Sequence, residues 1–457
     1  MINNPGMRFI LFFIFSTSLL IKVPCQSLIH QYLVVHIDSL TSISKKGRGI
    51  TNGGASEAAN YIRDVFMANE VPEFQLPGVN GYFQEFPVKI LGDIDSASNI
   101  MVNGKKYYIW KDFAYFSFIK PDGFGELTGR KSFVIFPYRD DVAHLKLVST
   151  QTNFNCELKY LPSGDLFKKT VEASVAGNNT GKFRTATLLG TIQNPSFTIT
   201  ASCALSLQLQ RIANKSVRQQ HRQQQVTDSV IVHLKRKESD LVCKNIIGLI
   251  PGTTTDSCII ISAHYDHLGI LKGQMYPGAN DNASGVAVLL ETARHLMACY
   301  QKGWRPAHHI VFIAFSAEEV GLLGSHHFVN YSGVDVSKIK RVINLDMVGG
   351  VGNELKGTPE KLFLLHSSDC DLSLIEVFKR GAGVSGKISF SNEGKAKYLD
   401  YSDQRSFIEK GVPSIFIFSG EESYCHTPND SKEHLNFTKM EALVDLLVGV
   451  LTGVGMP

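Results

Sequence analysis

Apolar runs alternate with amphipathic helical patterns over the second half of the chain. The runs are short and continuous, as is typical of strands that are buried on both faces. The predicted strands are Ser229–Leu234, Ile246–Ile250, Cys258–Ser262, Ile310–Phe315, Val342–Leu345, Leu362–Leu365 and Ser414–Phe418. Helical patterns fall between or after them, at 285–299, 321–331, 371–380, 402–410 and 437–452. This alternation predicts an α/β fold in which helices cover both faces of a sheet.

The first half of the chain has a different pattern. An amphipathic helix is predicted at 54–69, with one apolar face formed by Ala58, Ile62, Val65 and Phe66. From about residue 90 to 205, short β-rich runs such as Lys106–Trp110 are separated by turn sequences. The polar run Arg218–Gln225 follows and is typical of a solvated helix or linker. We therefore predict a main domain formed by 26–89 and 226–457, interrupted at 90–225 by a β-rich insert and its linker.

Residues 1–25 have the pattern of an export signal. Arg8 precedes an apolar run that ends before Lys22, and this run is shorter than the about 20 residues that span a membrane as a helix. The sequence Val23-Pro24-Cys25 then provides small residues for cleavage before Gln26. A lipid anchor at Cys25 is the alternative, although Lys22-Val23-Pro24 is a poor lipobox. We expect a secreted or periplasmic protein without stable membrane insertion.

Composition excludes several classes of protein. Hydrophobic residues make up 44% of the chain and charged residues 19%, so it can form a sizeable core and is neither disordered nor collagen-like. A formal net charge of +4 on 457 residues gives no support to nucleic acid as a partner. The eight cysteines form no C-x-x-C pair, which leaves zinc-finger and thioredoxin-type sites unsupported.

Acids and histidines follow the carboxyl ends of four predicted strands, where ligands bind in open α/β sheets. They are His264, Asp266 and His267 after the third strand, Glu318 and Glu319 after the fourth, Asp346 after the fifth, and His426 after the last. Asp281 comes just before the helical pattern at 285–299. Any one of these residues alone would more simply be a structural residue or an N-cap. Several of them at one edge of a sheet predict a metal site.

Imidazole and carboxylate ligands together suit zinc, and also manganese or cobalt. The groups are numerous enough for two ions about 3.5–4 Å apart, bridged by a carboxylate and a water molecule. Two cations would lower the pKa of that water enough to supply hydroxide near neutral pH. Glu318 and Glu319 could then divide the remaining work, one binding metal and the other carrying the proton.

Five motifs at these positions resemble those of the two-zinc exopeptidases, a family that includes secreted bacterial aminopeptidases, relatives of glutamate carboxypeptidase, and glutaminyl cyclases. In order, the motifs are Ser262–Asp266, Gly278–Gly285, Ala317–Ser325, Asn344–Met347 and His426–Asp430. The resemblance covers about half of the chain, from about 240 to 450. It implies a mixed, mainly parallel sheet sandwiched by helices, two zinc ions, and aminopeptidase activity on peptides. The β-rich insert resembles the protease-associated domain found in many members.

The resemblance also implies a role for each residue of the site. The implied metal ligands are His264 and Asp346 for one zinc, Glu319 and His426 for the other, and Asp281 as the bridge. Glu318 would be the general base that activates the bridging water and later protonates the leaving amine. Asp266 would hydrogen-bond the ligand histidine and fix its tautomer. The peptide bond between Asp281 and Asn282 would be cis, as it is in relatives.

One position departs from the family pattern, and the fold leaves other activities open. Several relatives have a tyrosine directly before the last histidine ligand, where this chain has Cys425, so Tyr424 or Tyr401 would have to stabilise the oxyanion. A glutaminyl cyclase uses one zinc and would not need both His264 and Asp346. A carboxypeptidase or dipeptidase would need a cationic pocket, which no sequence feature tests. A non-catalytic ectodomain would have lost ligands that are all present here. We therefore expect a secreted, zinc-dependent aminopeptidase.

Overall fold

A computed structural model describes residues 27–76, 78–94, 99–102, 104–108, 113–116, 133–137, 144–149, 155–160, 185–188, 196–201, 230–233, 236–254, 256–271, 273–391 and 396–453. The predicted export signal, the alternative anchor at Cys25 and the polar run Arg218–Gln225 lie outside these ranges. Within them, no helix combines the length and the apolar character that crossing a membrane requires.

Six of the seven described helices were predicted, with ends that differ by up to five residues, and the first of them was not predicted. They are α1 (Leu28–Leu40), α2 (Gly54–Ala68), α3 (Gly285–Gln301), α4 (Leu323–Tyr331), α5 (Leu372–Ser385), α6 (Gln404–Ile408) and α7 (Phe437–Thr452). Side-chain caps explain where some of them begin: Asp371 accepts a hydrogen bond from the Ser373 amide, and Asn436 accepts one from the Lys439 amide. Helix α4 starts later than predicted because Gly321 and Leu322 have positive φ angles, which a right-handed helix excludes.

The described strands form one large sheet and three smaller ones. They are β1 (Val79–Asn80), β2 (Phe83–Ile94), β3 (Asn99–Val102), β4 (Lys105–Tyr108), β5 (Phe113–Phe116), β6 (Phe133–Pro137), β7 (His144–Ser149), β8 (Asn155–Tyr160), β9 (Thr185–Leu188), β10 (Ser196–Ala201), β11 (Val230–His233), β12 (Arg236–Ile250), β13 (Cys258–His264), β14 (Gly269–Leu271), β15 (Gln274–Tyr276), β16 (His309–Phe315), β17 (Ile339–Asp346), β18 (Lys361–His366), β19 (Ser389–Ser391) and β20 (Ser414–Phe418).

The large sheet is mixed, with a parallel centre. Its strand order is β1-β2-β12-β16-β13-β17-β20-β18-β19, and β9 also pairs with β2. Strands β16, β13, β17 and β20 are mutually parallel, whereas β12 and β18 run antiparallel on either side of them. The predicted mixed, mainly parallel sheet is therefore confirmed at the centre, where the chemical motifs lie.

Strands from the first half of the chain form two separate sheets. Strands β5, β10, β8, β7 and β6 pair in that order, and β11, β3 and β4 form a three-stranded sheet. Strand β2 passes through residue 90 as a member of the large sheet, where it pairs with β12. Residues 99–233 thus contribute strands outside the large sheet, apart from β9.

The central strands are covered on both faces by apolar packing. In β16, Ile310, Phe312 and Ala314 face a core that also includes α1, α2, α3 and α7. The alternate residues Val311, Ile313 and Phe315 face a second core with Phe328 of α4 and Phe407 of α6. Because successive side chains of a strand point to opposite faces, two covered faces require the continuous apolar run that the sequence shows.

Candidate metal centre

The parallel strands end level with one another, which brings their following loops together. His264 at the end of β13 pairs in register with Phe315 at the end of β16. Asp346 at the end of β17 pairs with Phe418 at the end of β20. All the sequence-predicted site residues therefore lie at one edge of the sheet.

Seven side chains form two adjoining clusters in which the potential ligand atoms lie within 4.8 Å of one another. One cluster contains His264, Glu318 and Asp346, and the other contains His267, Asp281, Glu319 and His426. His264 Nε2 lies 3.3 Å from Asp346 Oδ1 and 3.4 Å from Asp281 Oδ1. His426 Nε2 lies 3.1 Å from Asp281 Oδ2. The two carboxylate oxygens of Asp281 thus face different histidines, which places this residue between the clusters.

The segment around Asp281 is fixed by polar contacts with distant parts of the chain. The Asp430 carboxylate accepts hydrogen bonds from the amides of Asn280 and Asp281, at 2.7 and 3.0 Å. The Asn282 side-chain oxygen accepts from the amides of Gly285 and Met347, at 3.0 and 3.1 Å. The peptide bond between Asp281 and Asn282 is cis, as the resemblance implied.

Asp266 contacts both glutamates and His264, but these contacts differ from those that the resemblance implied. Its carboxylate accepts hydrogen bonds from the amides of Glu318 and Glu319, at 3.1 and 3.4 Å. It lies 3.9 Å from His264 Nδ1, whereas the Asp266 backbone carbonyl lies 3.2 Å from that nitrogen. Asp266 thus contacts the histidine through its main chain and orients both glutamates through its side chain. Burial raises the pKa of the Asp266 carboxyl to about 6.

The adjacent glutamates have opposite pKa shifts. Burial raises the pKa of Glu318 well above its usual value, and the carboxylates of Glu319 and Asp346 add to the rise. Burial also disfavours ionisation of Glu319, but the charge of His426 and the hydrogen bond with His267 bring the Glu319 pKa well below its usual value. Glu318 therefore takes up a proton readily, whereas Glu319 stays ionised.

The chemistry of the donors fits divalent metal ions. Several buried carboxylates this close together repel one another unless cations lie between them. His426 Nε2 lies 3.1 Å from both Asp281 Oδ2 and Glu319 Oε2. Two atoms bound to one tetrahedral zinc at about 2.0–2.1 Å are about 3.3 Å apart. The spacing of these three side chains therefore suits ligands of one zinc ion.

The buried polar residues near the site include two that the sequence did not identify, Arg48 and Asp403. Arg48 follows Lys45-Lys46-Gly47, a context typical of a solvated surface, yet it is fully buried. Asp403 is fully buried, and neither of its carboxylate oxygens has a hydrogen-bond partner among the described residues. His267 is also buried; it was named within the predicted metal site because it follows a strand, but the resemblance assigned it no role.

The two candidate oxyanion residues, Tyr424 and Tyr401, are both exposed. Cys425 Sγ lies 3.8 Å from Asp281 Oδ2. The Tyr424 ring stacks on His434 with ring centres 3.8 Å apart, and the Tyr401 ring meets Tyr398 edge-on at 5.3 Å. Neither of these ring contacts brings a hydroxyl to the two clusters, and the oxyanion role of either tyrosine stays a prediction.

Comparison with known proteins supports the sequence resemblance. Residues 245–451 match the model of peptidase family M28. Aminopeptidase YwaD of Bacillus subtilis is 33% identical over 200 residues, which cover 42% of this chain and 40% of that protein. A probable leucine aminopeptidase of Arthroderma otae is 30% identical over 220 residues, covering 46% of this chain and 57% of the relative. The chain thus spans about half the length of the curated relatives it matches.

Two solved structures share the fold over nearly the whole chain. An aminopeptidase from Aneurinibacillus sp. strain AM-1 aligns with a TM-score of 0.52 and 17% identity, covering 94% of each chain. A zinc aminopeptidase from Bacillus subtilis, BSAP, aligns with a TM-score of 0.51 and 20% identity, covering 92% of this chain and 94% of that one. The predicted zinc-exopeptidase fold and the resemblance to that family are both confirmed. The family match covers residues 245–451, a little less than half of the chain, and over that segment the chain is similar to peptidase family M28.

Proposed function

We propose that this protein is a zinc-dependent aminopeptidase that hydrolyses the N-terminal residue from peptides. The observation that carries the proposal is the position of Asp281, whose two oxygens face His264 on one side and His426 on the other. That arrangement suits two ions sharing one carboxylate. The relatives named as aminopeptidases in the same family support the choice of reaction.

Each proposed ligand has an atom close to its neighbours. His264 and Asp346 would hold one zinc, Glu319 and His426 the other, and Asp281 both. When bound, the two ions would supply a nucleophilic hydroxide near neutral pH and polarise the scissile carbonyl.

Glu318 would act as the general base and acid. Its Oε2 lies 3.9 Å from His264 Nε2, at the edge of the first cluster and outside the set that would bridge the ions. The raised pKa of Glu318 suits a group that accepts a proton from water and returns it to the leaving amine. Asp266 would hold Glu318 in place through the backbone amides of both glutamates.

The groups at the site suit a substrate with a free amine. With two zinc ions bound, the four carboxylates of the clusters would be balanced in charge, so a substrate amine would be recognised by the carboxylate of Glu318 or Glu319 or by a zinc ion. Arg48, the guanidinium beside the site, donates to backbone carbonyls and is fully buried, so it is not available to bind a substrate carboxylate. These contacts favour an aminopeptidase over a carboxypeptidase or dipeptidase. The presence of both His264 and Asp346 favours two zinc ions over the single ion of a glutaminyl cyclase.

We also propose that the protein is exported. The support is the pattern of residues 1–25, with cleavage before Gln26 or, as the alternative, a lipid anchor at Cys25. The β-rich insert at 90–225 would then be a protease-associated-like accessory to a secreted catalytic domain.

The test compares matched peptides that differ only at their ends. A peptide with a free N-terminus, its N-acetylated form and its C-terminally amidated form are incubated with the enzyme, with and without a chelator. We expect cleavage of the free and amidated peptides, no cleavage of the acetylated one, and loss of activity with the chelator that zinc restores. Equal rates on free and acetylated peptides would contradict the aminopeptidase. Full activity in the chelator would contradict metal catalysis.

A further inference from the structure

His267 lies within the second cluster, and the proposed reaction gives it no role. Its side chain is fully buried. Its Nδ1 lies 2.6 Å from Glu319 Oε1 and 3.7 Å from Asp281 Oδ2. Two roles fit a histidine at this place: a further metal ligand, or a donor that orients one of the ligands.

The distance to Glu319 distinguishes the two roles. Two ligand atoms on one tetrahedral zinc lie about 3.3 Å apart, as His426 Nε2 nearly does from Glu319 Oε2 at 3.1 Å. A separation of 2.6 Å is too short for that arrangement and matches a hydrogen bond to an ionised carboxylate. Glu319 therefore has one oxygen directed to His267 and the other directed to His426.

The other nitrogen of the ring points to the same assignment. A metal-binding histidine donates its second ring N–H to a carboxylate, a carbonyl or water. His264 follows this rule, because its Nδ1 faces the Asp266 carbonyl at 3.2 Å while its Nε2 faces the cluster. Nε2 of His267 is buried and has no hydrogen-bond partner among the described residues. As a ligand through Nδ1, His267 would bury an unpaired N–H at Nε2, whereas as a donor through Nδ1 it leaves only a lone pair there.

The backbone around His267 holds the ring in position. Gly278 has a φ of +58°, and a Cβ at that position would lie 2.5 Å from the His267 ring. The His267 amide donates to the Arg48 carbonyl at 3.2 Å. The Arg48 guanidinium in turn donates to the carbonyls of Tyr265 and Gly278. The ring therefore lies directly against the backbone of the segment that leads to Asp281.

We propose that His267 is a positioning residue that donates its Nδ1–H to Oε1 of Glu319, so that Glu319 presents Oε2 alone to the metal ion shared with His426 and Asp281. This inference depends on the proposed two-zinc site. A glutamate held in this way would offer the ion one oxygen rather than two, which would leave room for the substrate amine or the attacking water.

The test measures metal binding separately from catalysis. In His267→Leu the donor is absent. In His267→Asn the side-chain amide N–H lies close to the place of Nδ1–H. His327→Leu is the control, because His327 is a half-buried histidine that stacks on Phe86 and belongs to neither cluster. Zinc affinity is measured by competition with a chromophoric chelator, and the ligand field is measured by the visible absorption of the Co²⁺-substituted protein.

We expect His267→Leu to weaken zinc binding at one of two sites by about 10–100-fold and to change the Co²⁺ spectrum. His267→Asn should restore most of the affinity and the wild-type spectrum, and His327→Leu should change neither. Should His267→Leu fail to fold, His267→Phe takes its place, since it keeps a planar ring against Gly278.

Two results would overturn the inference while leaving the two-zinc site intact. Wild-type affinity and spectrum in the variant without a donor would show that His267 does not position Glu319. Equal losses in the asparagine and leucine variants, with changed spectra in both, would make His267 a ligand. A wild-type protein that binds no zinc would instead overturn the proposed function, and this inference with it.

Discussion

Replacing Arg48 with methionine tests whether a buried guanidinium holds the metal site together. Its N–H groups donate to five backbone carbonyls, at distances of 2.6–3.1 Å, on Leu40, Tyr265, Pro277, Gly278 and Asp281. Burial lowers the pKa of Arg48 to about 10, which still leaves it charged at neutral pH. Methionine keeps much of the apolar stem but donates no hydrogen bond.

The expected loss of stability is large for a single residue. A hydrogen bond from a charged group contributes about 1.5–3 kcal/mol, and the five are not additive because the freed carbonyls can partly regain water. We expect the free energy of unfolding of the zinc-free protein to fall by about 3–5 kcal/mol, well below the sum over five carbonyls, because methionine also removes the cost of burying the charge. Two of the carbonyls, those of Gly278 and Asp281, belong to the segment that presents the proposed bridging carboxylate, so zinc affinity should fall as well. Each tenfold loss of affinity removes a further ~1.4 kcal/mol in saturating zinc.

Urea unfolding in a chelator measures the loss of stability of the zinc-free protein, and urea unfolding in excess zinc adds the effect of the lost zinc affinity. Arg63→Met is the control, because Arg63 is partly exposed and pairs with its neighbour Asp64, and its loss should cost at most about 0.5 kcal/mol. Arg48→Lys should recover little, because an ammonium group has three donors and cannot reach five carbonyls. A loss below about 1 kcal/mol in Arg48→Met, in the chelator, would refute the reasoning.

Three further predictions follow from the site. Glu318→Gln should keep two zinc ions, as metal analysis would measure, but lower kcat by about 10²–10⁴-fold. A variant that kept more than about a tenth of the wild-type rate in steady-state kinetics would contradict this. Burial raises the pKa of Asp403 to about 7, so the folded zinc-free protein binds a proton there that the unfolded chain has released. The wild type should therefore lose stability relative to Asp403→Asn as the pH rises from about 4 to 7, and a pH-independent difference in urea unfolding would contradict it. Gly278→Ala should destabilise the protein more than Gly386→Ala. Both glycines have a positive φ, but only a Cβ at 278 would lie 2.2 Å from the Asp281 carbonyl. Equal melting temperatures of the two variants would argue against this.

The central strands were predictable because their environment leaves a simple pattern. Burial on both faces demands a continuous apolar run, so the prediction of Ile310–Phe315 differs from the observed strand by one residue. The strand predicted at Ile246–Ile250 begins ten residues earlier, at Arg236. Its first part pairs with β2 and carries polar residues, and pairing with a distant strand leaves no periodic signal.

The residues of the site also include some that the sequence could identify and some that it could not. The acids and histidines at strand ends could be found because the topology of an α/β sheet gathers such positions at one edge. Arg48 could not be found, because its partners are backbone carbonyls more than 200 residues away in sequence for all but Leu40. Because every residue has a backbone carbonyl, the residue type gives no indication of which residues accept hydrogen bonds from Arg48. Asp403 was hidden for a related reason, since an aspartate at the start of a helix is ordinarily a solvated cap.

The role of Arg48 also bears on where the folding unit of this protein begins. The family match starts at residue 245, yet the guanidinium that ties Tyr265 to Gly278 lies almost 200 residues upstream. Helices α1 and α2 pack into the same apolar core as α3 and α7, and β2 covers the edge of β12. A fragment trimmed to 245–451 would expose that core and lose the support behind Asp281. The shortest autonomous version of this protein therefore includes helix α1, and the start of the family match lies inside its folding unit.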